Sequence, residues 1–289
     1  MPDIERSGIP GVRIEPGVYG ERAVVVSPWS DQIAGYIISH QIVELELNQG
    51  NGWSGKDISF LKQLGHLRLF KIIDFNISSI ASIHYLHKLK ALEILTYCDT
   101  EVNFSQFPLL YECALEWRPG AKSIFECSGL GRLFVNNFDC TGVESFGRLV
   151  SLESLALLNA PLESIVGLRP LIHLKALRLA NLRRLVSLSG LECLTNLKEL
   201  EINTCPKIHS IDEMAALAEL RILNLNNDGP IRSLSPLRNL KALEMVNFYE
   251  STNIVDGDLS PLVRAEHPLK VSFRNRRHYS CKREDPSFV

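Results

Sequence analysis

No stretch of this 289-residue chain approaches the ~18 uninterrupted apolar residues a membrane-crossing helix needs, so no membrane partner is expected. The opening residues, MPDIERSGIPG, carry acids early and have neither a basic region nor an apolar core. They do not read as a secretory signal. An excess of one charge is missing as well. Lys and Arg number 31 against 33 Asp and Glu, for a net charge of −2, and nothing in that balance favours nucleic acid. The seven cysteines are odd in number and form no C-x-x-C, which fits a reducing compartment and a cytoplasmic protein. No G-x-S-x-G and no H-E-x-x-H occurs, so neither a cofactor nor catalysis is expected.

What the chain has is leucine at fixed spacing. LHKLKALEIL from Leu86, LVSLESLALL from Leu149, LIHLKALRLA from Leu171, LTNLKELEIN from Leu194, LAELRILNLN from Leu217 and LRNLKALEMV from Leu237 align without gaps. Weaker copies start at Leu61, Phe107 and Cys127. One marker position runs through Leu45, Leu67, Leu92, Cys113, Leu133, Leu155, Leu177, Leu200, Leu223 and Leu243, nine intervals over 198 residues with a mean of 22. Leu269–Phe273 reads as a last, irregular copy.

The x-L-x-L-x core of each copy has period two, the signature of a strand with one buried face. The remainder carries Pro, Gly and further leucines, as suits a turn and a short helix or 3-10 segment. One such unit cannot bury its apolar face alone, whereas stacked units can. The expected fold is therefore α/β, a leucine-rich-repeat solenoid of ten to eleven repeats. Its parallel sheet should line a concave side, because strands stack ~4.8 Å apart and the opposite side is bulkier. Residues 1–40 read as an N-terminal β cap with strands at Arg22–Val26 and Gly35–Ser39. Residues 41–248 hold the repeats. Residues 249–289 hold the last repeat, a solvated cap and a frayed basic tail containing Arg274, Arg276, Arg277, His278, Lys282 and Arg283.

Pro161–Leu177 (PLESIVGLRPLIHLKAL) and Pro230–Leu243 (PIRSLSPLRNLKAL) resemble the 22-residue repeats of bacterial internalins and the related phosphatase-regulator class. The resemblance covers about residues 41–275 and implies a shared scaffold, not a shared ligand. An immunoglobulin-like module or wall anchor is not read in the residues after the repeats, so a surface adhesin is not expected. The Asn that ends the strand motif in that class is mostly replaced here, by Tyr97, Phe138, Ala160, Leu182, Cys205, Asp228 and Phe248. Backbone groups at that corner must find other partners.

Three local patterns invite chemistry and fail on context. GNGWSGK (Gly50–Lys56) imitates phosphate-cradling loops, but Asp57 stands where a P-loop needs Ser or Thr, and no long crossover helix follows. His84 and His87 have metal-pair spacing without a third ligand, and read as surface histidines. Cys113 and Cys127 occupy leucine positions and read as core sulfurs.

With leucines inward, the intervening residues form an exposed ribbon. Phe70, Leu95, Trp117, Phe134 and Leu158 are expected to make an apolar patch on it, rimmed by Arg68, Lys71, Glu93, Glu116, Arg132 and Arg178. Such patches mark protein interfaces, and aromatics dominate their energetics. Arg178 and Glu201 are expected to pair across adjacent strands. Asn137, Asn159, Asn181, Thr204, Asn227 and Asn247 fall at the strand-to-turn bend and are expected to be structural. The function expected is a non-enzymatic module, a monomer on its own, that binds a protein partner through the concave face. Such a module could be a bacterial immunity protein that neutralises a toxin or a regulatory adaptor; an effector delivered to a host and an enzyme with an unfamiliar site stand as the alternatives.

Overall fold

Leucines three residues apart shape each repeat. Ile165, Leu168, Leu171, Leu174 and Leu177 are all buried, as are Ile80, Ile83, Leu86, Leu89 and Leu92. A 3-10 helix has three residues per turn, so this spacing keeps the apolar side chains on one face. Short 3-10 segments such as Ala81–Tyr85 and Val166–Leu168 duly precede the strands. The period then changes to two. Leu177 and Leu179 point inward while Arg178 between them is exposed.

The computed structural model describes residues 8–263, 269–285 and 288. Two compact units divide the chain, Met1–Arg132 and Leu133–Val289. The first contains β1 (Val12–Pro16), β2 (Glu21–Val25), α1 (Asp31–Ser39), β3 (Glu44–Asn48), β4 (Leu69–Ile73), β5 (Ala91–Leu95) and β6 (Glu112–Glu116). In the second lie β7 (Arg132–Asn136, its first residue falling in the first unit), β8 (Ser154–Leu158), β9 (Ala176–Ala180), β10 (Glu199–Asn203), β11 (Ile222–Asn226) and β12 (Pro230–Ile231). β13 (Met245–Phe248), β14 (Asn253–Ile254) and β15 (Lys270–Phe273) follow. Among the described residues, β1 to β6 of the first unit form a sheet in chain order; in the second, β8 to β11, β13 and β15 follow one another in a sheet, and β12 and β14 pair separately. β1 and β2 are antiparallel, and β2 through β6 and β8 through β11 run parallel. The fold class is the expected one, a parallel-sheet leucine-rich-repeat architecture.

Register corrects two marker positions. Leu45 pairs with Phe70, not Leu67, and Leu223 pairs with Val246, not Leu243. In both repeats the three-residue leucine run makes one more turn before the strand starts. Leu61, Leu64 and Leu67 are buried in sequence with Phe70 as the next member. The last repeat is in line with this, since Val246 pairs with Val271.

The ends also depart from expectation. Gly35–Ser39, read as a strand, belongs to helix α1. Ser30 caps that helix by accepting from the Ile33 N–H, and Ile33, Ala34 and Ile37 bury one face. At the other end, residues expected to fray are packed: the Tyr279 ring is buried against Phe248 and Phe273, and its hydroxyl accepts from the Ile254 N–H at 3.0 Å. Glu284 accepts from Asn275 at 3.0 Å.

Candidate functional site

The open face of each unit is set by what happens where a strand ends, and the two units solve that corner differently. In the second unit the fourth residue after the inward marker takes a left-handed backbone: Asn137, Asn159, Asn181, Thr204, Asn227 and Glu250 have φ between 54° and 61°. Asn reaches this region at low cost, which explains most of the asparagine column. The turn sends the next residue inward, so Phe138, Ala160, Leu182, Cys205 and Asp228 are buried. The amides also bond to one another, with Asn159 Nδ2 donating to Asn136 Oδ1 at 2.6 Å and Asn181 Nδ2 to Asn159 Oδ1. Asn247, expected in this column, lies within β13 and donates to Asn224 Oδ1 at 2.7 Å, and Glu250 turns the corner in its place. That exchange follows from the corrected register.

At the corners after β4 and β5 the left-handed residue is missing, so strand alternation continues for two residues more. Asp74 and Thr96 point inward, and Phe75 and Tyr97 point outward. The inward polar groups are satisfied. Trp53 Nε1 donates to Asp74 Oδ2 at 3.0 Å. The buried Arg118 guanidinium donates to Thr96 Oγ1 at 2.9 Å, to Thr96 O at 2.7 Å and to Cys98 O at 2.6 Å. Phe75 and Tyr97 are left 44% and 65% exposed, their ring centroids 4.7 Å apart. Behind them in register stand Ile73 and Leu95, both half-buried on the same face.

The expected site residues divide accordingly. In the first unit Leu95 faces outward. Lys71 does too, 3.5 Å from Glu93 and 3.9 Å from Glu46. Burial raises the Glu93 pKa, Lys71 lowers it, and Glu46 and Glu112 raise it further, with a net upward shift. Arg132 is exposed and pairs with Glu112 at 3.6 Å. Four assignments are corrected. Phe70 is fully buried because it is the inward marker. Arg68 lies before β4, off the strand face. Trp117, at 9% exposure, turns inward against Phe125 with centroids 5.7 Å apart. Glu116 holds an outward strand position yet is buried. In the second unit Phe134 and Leu158 face outward, half-buried, and Arg178 pairs with Glu201 at 3.1 Å as expected. Ile73, Phe75 and Tyr97 were not foreseen on this face.

The patterns that invited chemistry serve the fold. Gly52 has φ 103°, and a Cβ there would stand 2.7 Å from Val26 O, while a Cβ on Gly55 would meet the Trp53 ring at 2.1 Å. GNGWSGK is thus a turn that seats Trp53. His84 is half-buried, not a free surface residue: its Nε2 accepts from the Asn103 N–H at 2.9 Å. Cys113 is buried, as expected. Cys127, expected in the core, is only partly so, and its thiol is pushed up to about 11 by burial and by Glu126. No group of His, Cys, Asp and Glu among the described residues has metal-binding geometry.

Neither a family model nor a curated protein matches the sequence. Solved structures do match. An internalin, inlF, of Listeria monocytogenes superposes with a TM-score of 0.61 at 21% identity, over 77% of this chain and 67% of that one. A leucine-rich-repeat protein of Leptospira interrogans gives 0.60 at 19% identity, over 75% and 57%. The functional domain of InlJ from L. monocytogenes, described as including a cysteine ladder, gives 0.54 at 15% identity, over 81% and 60%. The chain thus spans less than two thirds of the last two. At these identities the likeness concerns architecture alone. In fold, this chain is a leucine-rich-repeat protein.

Proposed function

We propose that this chain is a non-enzymatic interaction module that docks a protein partner on the open face of its strands, and that it works in the cytoplasm. One observation carries the reading. Ile73, Leu95, Phe134 and Leu158 point away from the core, where strand alternation would otherwise place polar groups. Apolar side chains held rigidly on an outer face are characteristic of protein interfaces. The cysteines, all unpaired, suit a reducing compartment.

Affinity capture from native lysate tests this with three variants that leave the inward residues alone. Leu95→Glu and Phe134→Glu alter the open face of one unit each. Val186→Glu alters an exposed valine outside the strands. A partner retained by wild type and Val186→Glu, and lost by at least one face variant, supports the reading. A partner retained by both face variants contradicts it.

A further inference from the structure

We infer that the corner beyond β4 and β5 is a docking point for a partner segment that presents an aromatic or aliphatic side chain beside a lysine or arginine. This rests on the interaction reading above and supplies the chemistry of the partner for the first unit.

Because Asp74 and Thr96 stay extended, the open ribbon of these two repeats is two residues longer than in repeats that turn left-handed. Its added positions are both aromatic. Ile73 sits in register with Leu95, and Phe75 touches Tyr97, which gives a two-by-two apolar platform. The backbone beneath is fixed, since the Asp74 N–H donates to Leu95 O at 3.2 Å and Asp74, Trp53 and Arg118 lock the corner from inside. The platform therefore needs little ordering on binding, which favours affinity.

The polar half is a matter of sign. Glu46 and Glu93 flank the platform on the strand face and share the single cation Lys71. Asp99 and Glu101, both exposed, follow Tyr97 in the chain. Two carboxylates thus share one ammonium on the strand face and two more follow Tyr97 in the chain, while the Arg118 guanidinium at this corner is turned inward and bonded to Thr96 and Cys98. A cation brought by a partner would relieve the crowding, and it would gain a charge-assisted bond at the edge of an apolar contact. The same sign disfavours the other occupants. A second copy would bring acid to acid, and an anionic membrane surface would be repelled.

A random-peptide phage library, selected on the immobilised full chain, is the probe. Peptides pairing Lys or Arg with aromatic or aliphatic residues should be enriched. Their affinity, read by fluorescence anisotropy, should fall about tenfold on Tyr97→Ser or Phe75→Ser, the loss typical of an interface anchor. It should fall less on Glu93→Gln, decrease with added salt, and stay unchanged on Val186→Glu. Both residues lie outside the core, so their substitution leaves the inward side chains in place. Enrichment of acidic or uncharged peptides overturns the inference, as does no enrichment, or equal binding by wild type and Tyr97→Ser. Each of these leaves the capture experiment free to support the broader reading. Retention of a captured partner by both face variants overturns that reading instead.

Discussion

Asp228 provides a prediction whose size can be worked from the structure. It occupies the position where related repeats carry Asn, fully buried, with Oδ1 accepting from the Cys205 N–H at 2.8 Å and Oδ2 without a partner. Burial pushes its carboxyl up from 3.8 to about 7, against the lowering effect of the Cys205 hydrogen bond. A folded-state pKa above the unfolded value means that the folded protein holds the proton more tightly. The stability from this group is then fully present below pH 3.8, and it is lost as pH rises through about 7. At 1.36 kcal/mol per pKa unit the whole loss is at most about 4 kcal/mol, of which roughly 3 kcal/mol falls between pH 5 and pH 8. Asp228→Asn keeps an oxygen for Cys205 and cannot ionise. Urea unfolding of both proteins at pH 5 and pH 8 should show the wild type losing stability with rising pH and the variant losing much less. The variant should also be the more stable of the two at pH 8. Equal pH dependence in the two proteins, or a variant weaker than wild type at pH 8, would refute the reasoning.

Other outcomes follow from the same geometry. Phe70→Ala should cost ~3–5 kcal/mol in denaturant unfolding, as expected for a fully buried phenylalanine, while Arg68→Ala should change stability by less than ~0.5 kcal/mol. Asn159→Val places a β-branched residue at φ 54° and should lower stability by ~1–2 kcal/mol, visible as a reduced melting temperature, whereas Asn159→Gly should be nearly silent. Burial pushes the Cys98 thiol up, but hydrogen bonds from Thr96 and Thr100 and the Arg118 charge bring it net below its ordinary value. Iodoacetamide labelling read by peptide mass spectrometry should therefore modify Cys98 faster than Cys127, which is comparably accessible and carries a raised pKa.

The repeat was legible because period three followed by period two has one good structural solution, 3-10 turns leading into stacked strands. Where the leucine run is longer, two registers satisfy the same pattern. Leu67 and Leu69 mimic the strand core as well as Phe70 and Ile72 do, and only pairing with Leu45 decides between them. That three-residue ambiguity put Phe70 on the wrong face. The corner was illegible for a different reason. Thr96 stays extended and Thr204 turns left-handed, although both are threonines at the same point of their repeats. What separates them is tertiary. Arg118, one repeat further on, supplies the bonds that hold Thr96 inward. The Arg178–Glu201 pair was legible because adjacent parallel strands place opposite charges side by side.

Hydroxyl-radical footprinting of the free protein, with rates corrected for intrinsic side-chain reactivity, reaches the register and the corner together. Phe75 and Tyr97 should be modified readily, and Phe70 and Trp53 should be protected. If Phe70 reacts as fast as Phe75, or if Tyr97 is protected in the absence of any partner, the extended corner and the docking platform built on it are both wrong.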